Sequence, residues 1–152
     1  MIKLKTYDTS FDYIDWTVFF EARPAYVQAT ASTSFTYRPF LKVKVSVDGA
    51  GFRYGKKDKP KSGTIDSITI EYKNDVILKI TNLDLSLKKF YNKVMKKKDG
   101  HLILPAMLKD GVKIEGEKGG EILPPSPAAG DDIISAGAGD DVINGDPGAD
   151  RI

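Results

Sequence analysis

The last 26 residues of the chain are built on a period of nine. They read PAAGDDIIS over 127–135, AGAGDDVIN over 136–144 and GDPGADRI over 145–152. Gly130, Gly139 and Gly148 fall in one column, Asp132, Asp141 and Asp150 in a second, and Ile134, Ile143 and Ile152 in a third. A fixed short period signals one small unit stacked on copies of itself, because a single unit cannot bury its apolar face alone. Each column has a physical meaning. Glycine permits the positive φ of a tight loop. The aliphatics are expected on short strands, pointing inward. The aspartates offer hard oxygen ligands of the kind calcium takes. The rival reading is a flexible Gly/Asp-rich terminus that holds no ion.

The register resembles the RTX (hemolysin-type) family, whose nonapeptide G-G-x-G-x-D-x-U-x forms a calcium-binding parallel β-helix. The resemblance covers Pro127–Ile152. The fourth-position Gly, sixth-position Asp and eighth-position aliphatic are present in all three units. The first position holds Pro127, Ala136 and Gly145, and the second Ala128, Gly137 and Asp146. Residues 63–92, GTIDSITIEYKNDVILKITNLDLSLKKFYN, are also similar to a module that precedes the array in some members. There a β-hairpin leads into a G-L-x-L-S type turn and a helix; Asn82 stands where that pattern has Gly.

The resemblance implies Ca2+ as the bound ion, with Asp132, Asp150 and Asp141 as metal ligands and Gly130, Gly139 and Gly148 shaping the loops around it. It implies a secreted, extracellular bacterial protein that leaves by the type I secretion machinery, which reads an uncleaved C-terminal signal. The third unit stops at its eighth position, so the array is expected to continue and the chain is read as a fragment. In the family's coil successive loops alternate between two edges, and stacked loops lie eighteen residues apart. Loop 130–132 is therefore expected to stack on loop 148–150, at roughly the 4.8 Å of neighbouring strands. Asp132 and Asp150 would then share an ion, whereas Asp141 needs a fourth unit. Asp131 and Asp140 are read either as loop-shaping groups or as direct ligands.

Charge divides the chain at the same place. Residues 124–152 hold six Asp and one Arg, and residues 1–123 hold 22 basic and 15 acidic residues. The predicted organisation is a module of unassigned role over 1–123, a stiff Pro-rich linker at 124–126, and the start of the repeat array at 127–152.

The first region reads as mostly β. Phe40 to Val47 alternates, with Leu41, Val43, Val45 and Val47 on one face and Lys42, Lys44 and Ser46 on the other. Asp48-Gly49 follows as a turn signal. Thr64 to Tyr72 and Val76 to Ile80, joined at Asn74-Asp75, predict a hairpin over 64–82. Further strands are expected at Thr17–Glu21, Tyr26–Thr30, Ser34–Tyr37 and Val112–Glu115. One helix is predicted over about 86–97. Ser86 is its N-cap, Leu87, Phe90, Tyr91, Val94 and Met95 form one apolar stripe, and Asp99-Gly100 ends it. The fold class is α+β: an N-terminal β-rich module with one covering helix, followed by the start of a parallel β-roll.

Several classes of chemistry have no motif here. There is one histidine, His101, so an H-E-x-x-H zinc site is excluded, and no G-x-S-x-G elbow or P-loop occurs. Whether a catalytic domain accompanies the chain is left open. No cysteine is present, which excludes disulfides and thiolate sites. No apolar run approaches a transmembrane span, and no signature of a nucleic-acid fold is found. The lysines of the helix and of the loop at 56–61 are read as a solvated face. Their rival reading is contact with an anionic surface or glycan. Two alternatives to calcium binding remain at this level: the front part of an exported hydrolase, and an adhesin or surface-layer protein.

Overall fold

The computed structural model describes residues 2–6, 27–39, 42–56, 59–96, 112–116, 130–143, 145 and 147–152. They form one eight-stranded sheet and a single short helical segment. The strands are β1 (Ile2–Thr6), β2 (Val27–Thr30), β3 (Ser34–Tyr37), β4 (Val43–Tyr54), β5 (Pro60–Tyr72), β6 (Asp75–Ser86), β7 (Val112–Glu115) and β8 (Ile133–Ser135). Their order across the sheet is β2-β3-β4-β5-β6-β1-β7-β8. Strands β2 to β6 form an antiparallel meander, and β1 pairs antiparallel with β6. Then the sense changes: β7 runs parallel to β1, and β8 runs parallel to β7.

Alternation along these strands sets the two faces. Val43, Val45 and Val47 of β4, Ile65, Ile68 and Ile70 of β5, and Leu78 and Ile80 of β6 are buried on one side. The helix covers that side. Ser86 caps it, its hydroxyl accepting a hydrogen bond from the Lys89 N–H at 3.4 Å. Leu87, Phe90 and Val94 are fully buried beneath it. Phe90 packs against the Tyr37 ring with centroids 6.4 Å apart, and Tyr91 meets Phe35 edge-on at 6.4 Å. Burial pushes the Tyr37 hydroxyl pKa far above its ordinary value. The single α-helix predicted to 97 is corrected in one respect. Only Leu87–Phe90 is α-helical (α1), and Tyr91–Lys96 continues as a π-helical turn. The wider turn keeps Phe90, Tyr91 and Val94 together on the sheet-facing side.

The predicted hairpin over 64–82 is present and longer, with β5 and β6 paired from Thr64–Ser86 to Tyr72–Asp75. Its turn is Lys73-Asn74, one residue earlier than expected, with φ of 51° and 77°. Positive φ at both central residues marks the hairpin turn whose twist matches the strands. Asp48-Gly49 is not a turn. β4 runs on through it to Tyr54, with a shift of register between Asp48 and Gly49. A Cβ at Gly49 would lie 2.0 Å from the Thr64 carbonyl oxygen, so glycine is there for close approach of β5. Asn82 has φ 61°, a conformation that Gly and Asn tolerate best. The strand expected at Thr17–Glu21 and residues Phe40, Leu41 and His101 lie outside the described residues.

One row of the register runs from β3 to β8. Phe35 pairs with Val47, Val47 with Ile68, Ile68 with Ile80, Ile80 with Leu4, Leu4 with Ile114, and Ile114 with Ile134. Ile134 belongs to the nonapeptide segment and is 4 % exposed, within the same core cluster as the strands of the meander.

Candidate metal centre

The repeat segment returns on itself after eighteen residues. Ile133 and Arg151 form a parallel bridge. The Ile134 N–H donates to the Arg151 carbonyl and the Arg151 N–H to the Asp132 carbonyl, each at 2.8 Å. These are the two bonds of a parallel pair.

Around that bridge the two predicted loops meet. The Asp132 N–H donates to Oδ1 of Asp150 at 3.0 Å. The Ala149 N–H donates to Oδ1 of Asp131 at 3.0 Å. Asp131 therefore ties loop 148–150 to loop 130–132 through the backbone. Gly148 lies directly over Gly130: a Cβ there would come within 2.1 Å of the Gly130 carbonyl oxygen and 2.8 Å of Asp150 Oδ1. Only a residue without a side chain fits that approach.

Asp132 is 1 % exposed and is the one buried charged residue among those described. Its Oδ2 oxygen receives no hydrogen bond, although the residue is otherwise engaged through its backbone and further contacts. The Asp132 carboxylate, the Asp150 carboxylate bonded to the Asp132 N–H and the Gly130 carbonyl under Gly148 are hard oxygens, the type that holds calcium. Among the described residues no group of three acidic, histidine or cysteine side chains converges. A metal here would draw on two carboxylates completed by backbone carbonyls.

Asp141 and Gly139 belong to loop two, nine residues on from Asp132 and Gly130. Gly139 has φ 143° and Gly137 has φ 101°, the positive φ expected of loop two, whereas Gly148 is not in that region and is needed for close approach instead. Asp141 is half-buried and has partners of its own. Sequence reasoning passed over Gly145 as anything more than a first-position residue. In the structure its backbone faces Asp150, and a Cβ would lie 2.7 Å from Asp150 Oδ2. Its position in the repeat was the available signal. The strand expected at Val112–Glu115 is present as β7; that its edge receives the first repeat strand was not foreseen.

The lysines lie elsewhere. Lys88 and Lys89 of α1 and Lys56, Lys59 and Lys61 by the β4–β5 loop are exposed. On the uncovered face of the sheet, Lys113 pairs with Glu115 at 2.6 Å. That hydrogen bond first, then the charges of Lys113, Lys3 and Lys5, holds the Glu115 carboxyl below its ordinary value. Among the described residues no helix is long and apolar enough to cross a membrane.

Comparison with known families meets the same segment. Residues 128–152 match the family model described as the RTX calcium-binding nonapeptide repeat (4 copies). No curated protein and no solved structure matches the chain.

Proposed function

We propose, starting from the membership of residues 128–152 in the RTX calcium-binding repeats, that this segment binds calcium between loops 130–132 and 148–150. The observation that carries the reading is the eighteen-residue return. It brings Asp132, Asp150, Gly130 and Gly148 together through Asp132 N–H to Asp150 Oδ1 and the Ile133–Arg151 bridge. Asp132 and Asp150 supply the carboxylates, and the loop backbone supplies carbonyls. Gly130, Gly139 and Gly148 let the loops close, and Asp141 serves a coil that stacks on loop two. The ion, when bound, supplies positive charge that offsets the mutual repulsion of the aspartates.

The reading extends to the life of the protein. Residues 1–123 are a module in their own right, 124–126 a linker, and 127–152 the first coils of a parallel β-roll. In calcium-poor cytosol the aspartates repel and the coil stays open. After export the ion closes it, so that metal binding and folding are one event.

Calorimetric titration with calcium tests this. A single site that must also order its own chain should bind weakly, on the order of 10⁻⁴–10⁻³ M. Asp132→Ala and Asp150→Ala should each abolish the heat, and Asp141→Ala should leave most of it. Equal losses from Asp141→Ala and Asp132→Ala would overturn the pairing of loops one and three.

A further inference from the structure

We propose that β7 is the seed of the repeat array: its outer edge is a docking surface whose occupant is the first repeat strand, β8. The calcium half of this proposal rests on the reading above; the docking half stands on the strand pairing alone.

Four observations carry it. First, β8 lies on β7 in parallel register, with Lys113 beside Ile133, Ile114 beside Ile134 and Glu115 beside Ser135. The Gly116 N–H continues that ladder, donating to the Ser135 carbonyl at 2.8 Å. Second, the sense of the sheet is prepared in advance. β1 and β7 already run parallel, so a strand added to β7 meets the same pairing that Arg151 makes with Ile133. Within an otherwise antiparallel sheet, the two-strand run β1–β7 has the geometry of the array before the array begins. Third, the register is in phase. The row of paired residues that runs from Ile80 through Leu4 to Ile114 meets the aliphatic column of the repeat at Ile134. One residue past the Ile133–Arg151 bridge, the same row reaches Ile152, which is 73 % exposed. Fourth, the seam between β7 and β8 is buried: Ile114 is 1 % exposed and Ile134 4 %.

A stack of identical coils has an unpaired edge at each end and needs something unlike itself to cover it. The N-terminal sheet supplies that cover through residues that are not repeats at all. The array therefore orders outward from β7. β8 docks first, on a preformed edge, and the loop 148–150 closes over it when the ion arrives.

The test uses the full chain and two variants. Gly116→Pro removes the N–H that Ser135 accepts from, while Gly116→Ala keeps it. Amide hydrogen exchange and calcium titration are followed for all three. In the unaltered chain with chelator, the Gly116 amide should already be protected, and the Ile134 and Arg151 amides should gain protection only with calcium. Gly116→Pro should weaken calcium binding by about threefold to tenfold, with Gly116→Ala matching the unaltered chain. Unweakened binding in Gly116→Pro, or a Gly116 amide that exchanges freely with calcium bound, would overturn the seed. If the unaltered chain bound no calcium, the calcium reading would fail on its own. The protection of Gly116 would then still decide whether β8 docks on β7.

Discussion

A methyl group at position 148 would lie 2.1 Å from the Gly130 carbonyl oxygen, against backbone that cannot move aside as a side chain would. Gly148→Ala is expected to weaken the loop contact by about 1–3 kcal/mol, as overpacking does elsewhere. The calcium titration should shift to higher concentration while the thermal midpoint of the rest of the sheet stays put. Gly49→Ala should do the converse. Its Cβ would meet the Thr64 carbonyl at 2.0 Å, so urea unfolding should report a loss of about 1–3 kcal/mol with calcium affinity unchanged. Glu115 offers a pH test. Its carboxyl is held low by Lys113, so its contribution is present above the ordinary carboxylate range and disappears as pH falls through its folded value. Glu115→Gln should flatten the acid limb of stability slightly, and salt should mimic the variant because the pair is exposed. An acid limb that keeps its slope would count against the pair. At this scale the meeting of loops 130–132 and 148–150 was legible, because two turns of the nine-residue register set Asp132 opposite Asp150. Gly49 was misread for a physical reason. Asp-Gly is a turn signal only if nothing presses on the strand, and the sequence does not say that Thr64 will.

Among the elements, the helix was the clearest in outline and the least clear in detail. The stripe of Leu87, Phe90 and Val94 predicted which side faces the sheet, and all three are buried. Phe90→Ala should accordingly destabilise the protein by about 3–5 kcal/mol, measured by urea unfolding; a loss under 1 kcal/mol would mean that Phe90 is not central to the core. The π-helical turn begins at Tyr91, whose ring meets Phe35 on β3, a partner far away in sequence. β1 is the strand that sequence reasoning missed. Ile2–Thr6 alternates, but five residues at a terminus carry little signal, and the strand exists through its neighbours β6 and β7 on either side. Period and capping are local properties and can be read from the sequence. Which edges meet is decided by long-range packing.

At the scale of the whole molecule, the division into a basic module and an acidic repeat segment makes a prediction about heat. A chain ending at residue 123 should still melt cooperatively, with one midpoint in chelator and in millimolar calcium, because the helix-covered meander needs no ion. Its midpoint should lie below that of the full chain, since removal of β8 uncovers Ile114. A transition that chelator abolishes would contradict the independence of the module. The eighteen-residue return also bears on how such a segment changes length over generations. Asp132 meets Asp150, and Ile133 meets Arg151, each exactly two units on. A duplication or loss of two units keeps every later aspartate on its own edge, whereas a change of one unit moves all of them to the opposite edge. Copy number in a tail of this kind is therefore expected to drift in steps of eighteen residues more readily than in steps of nine.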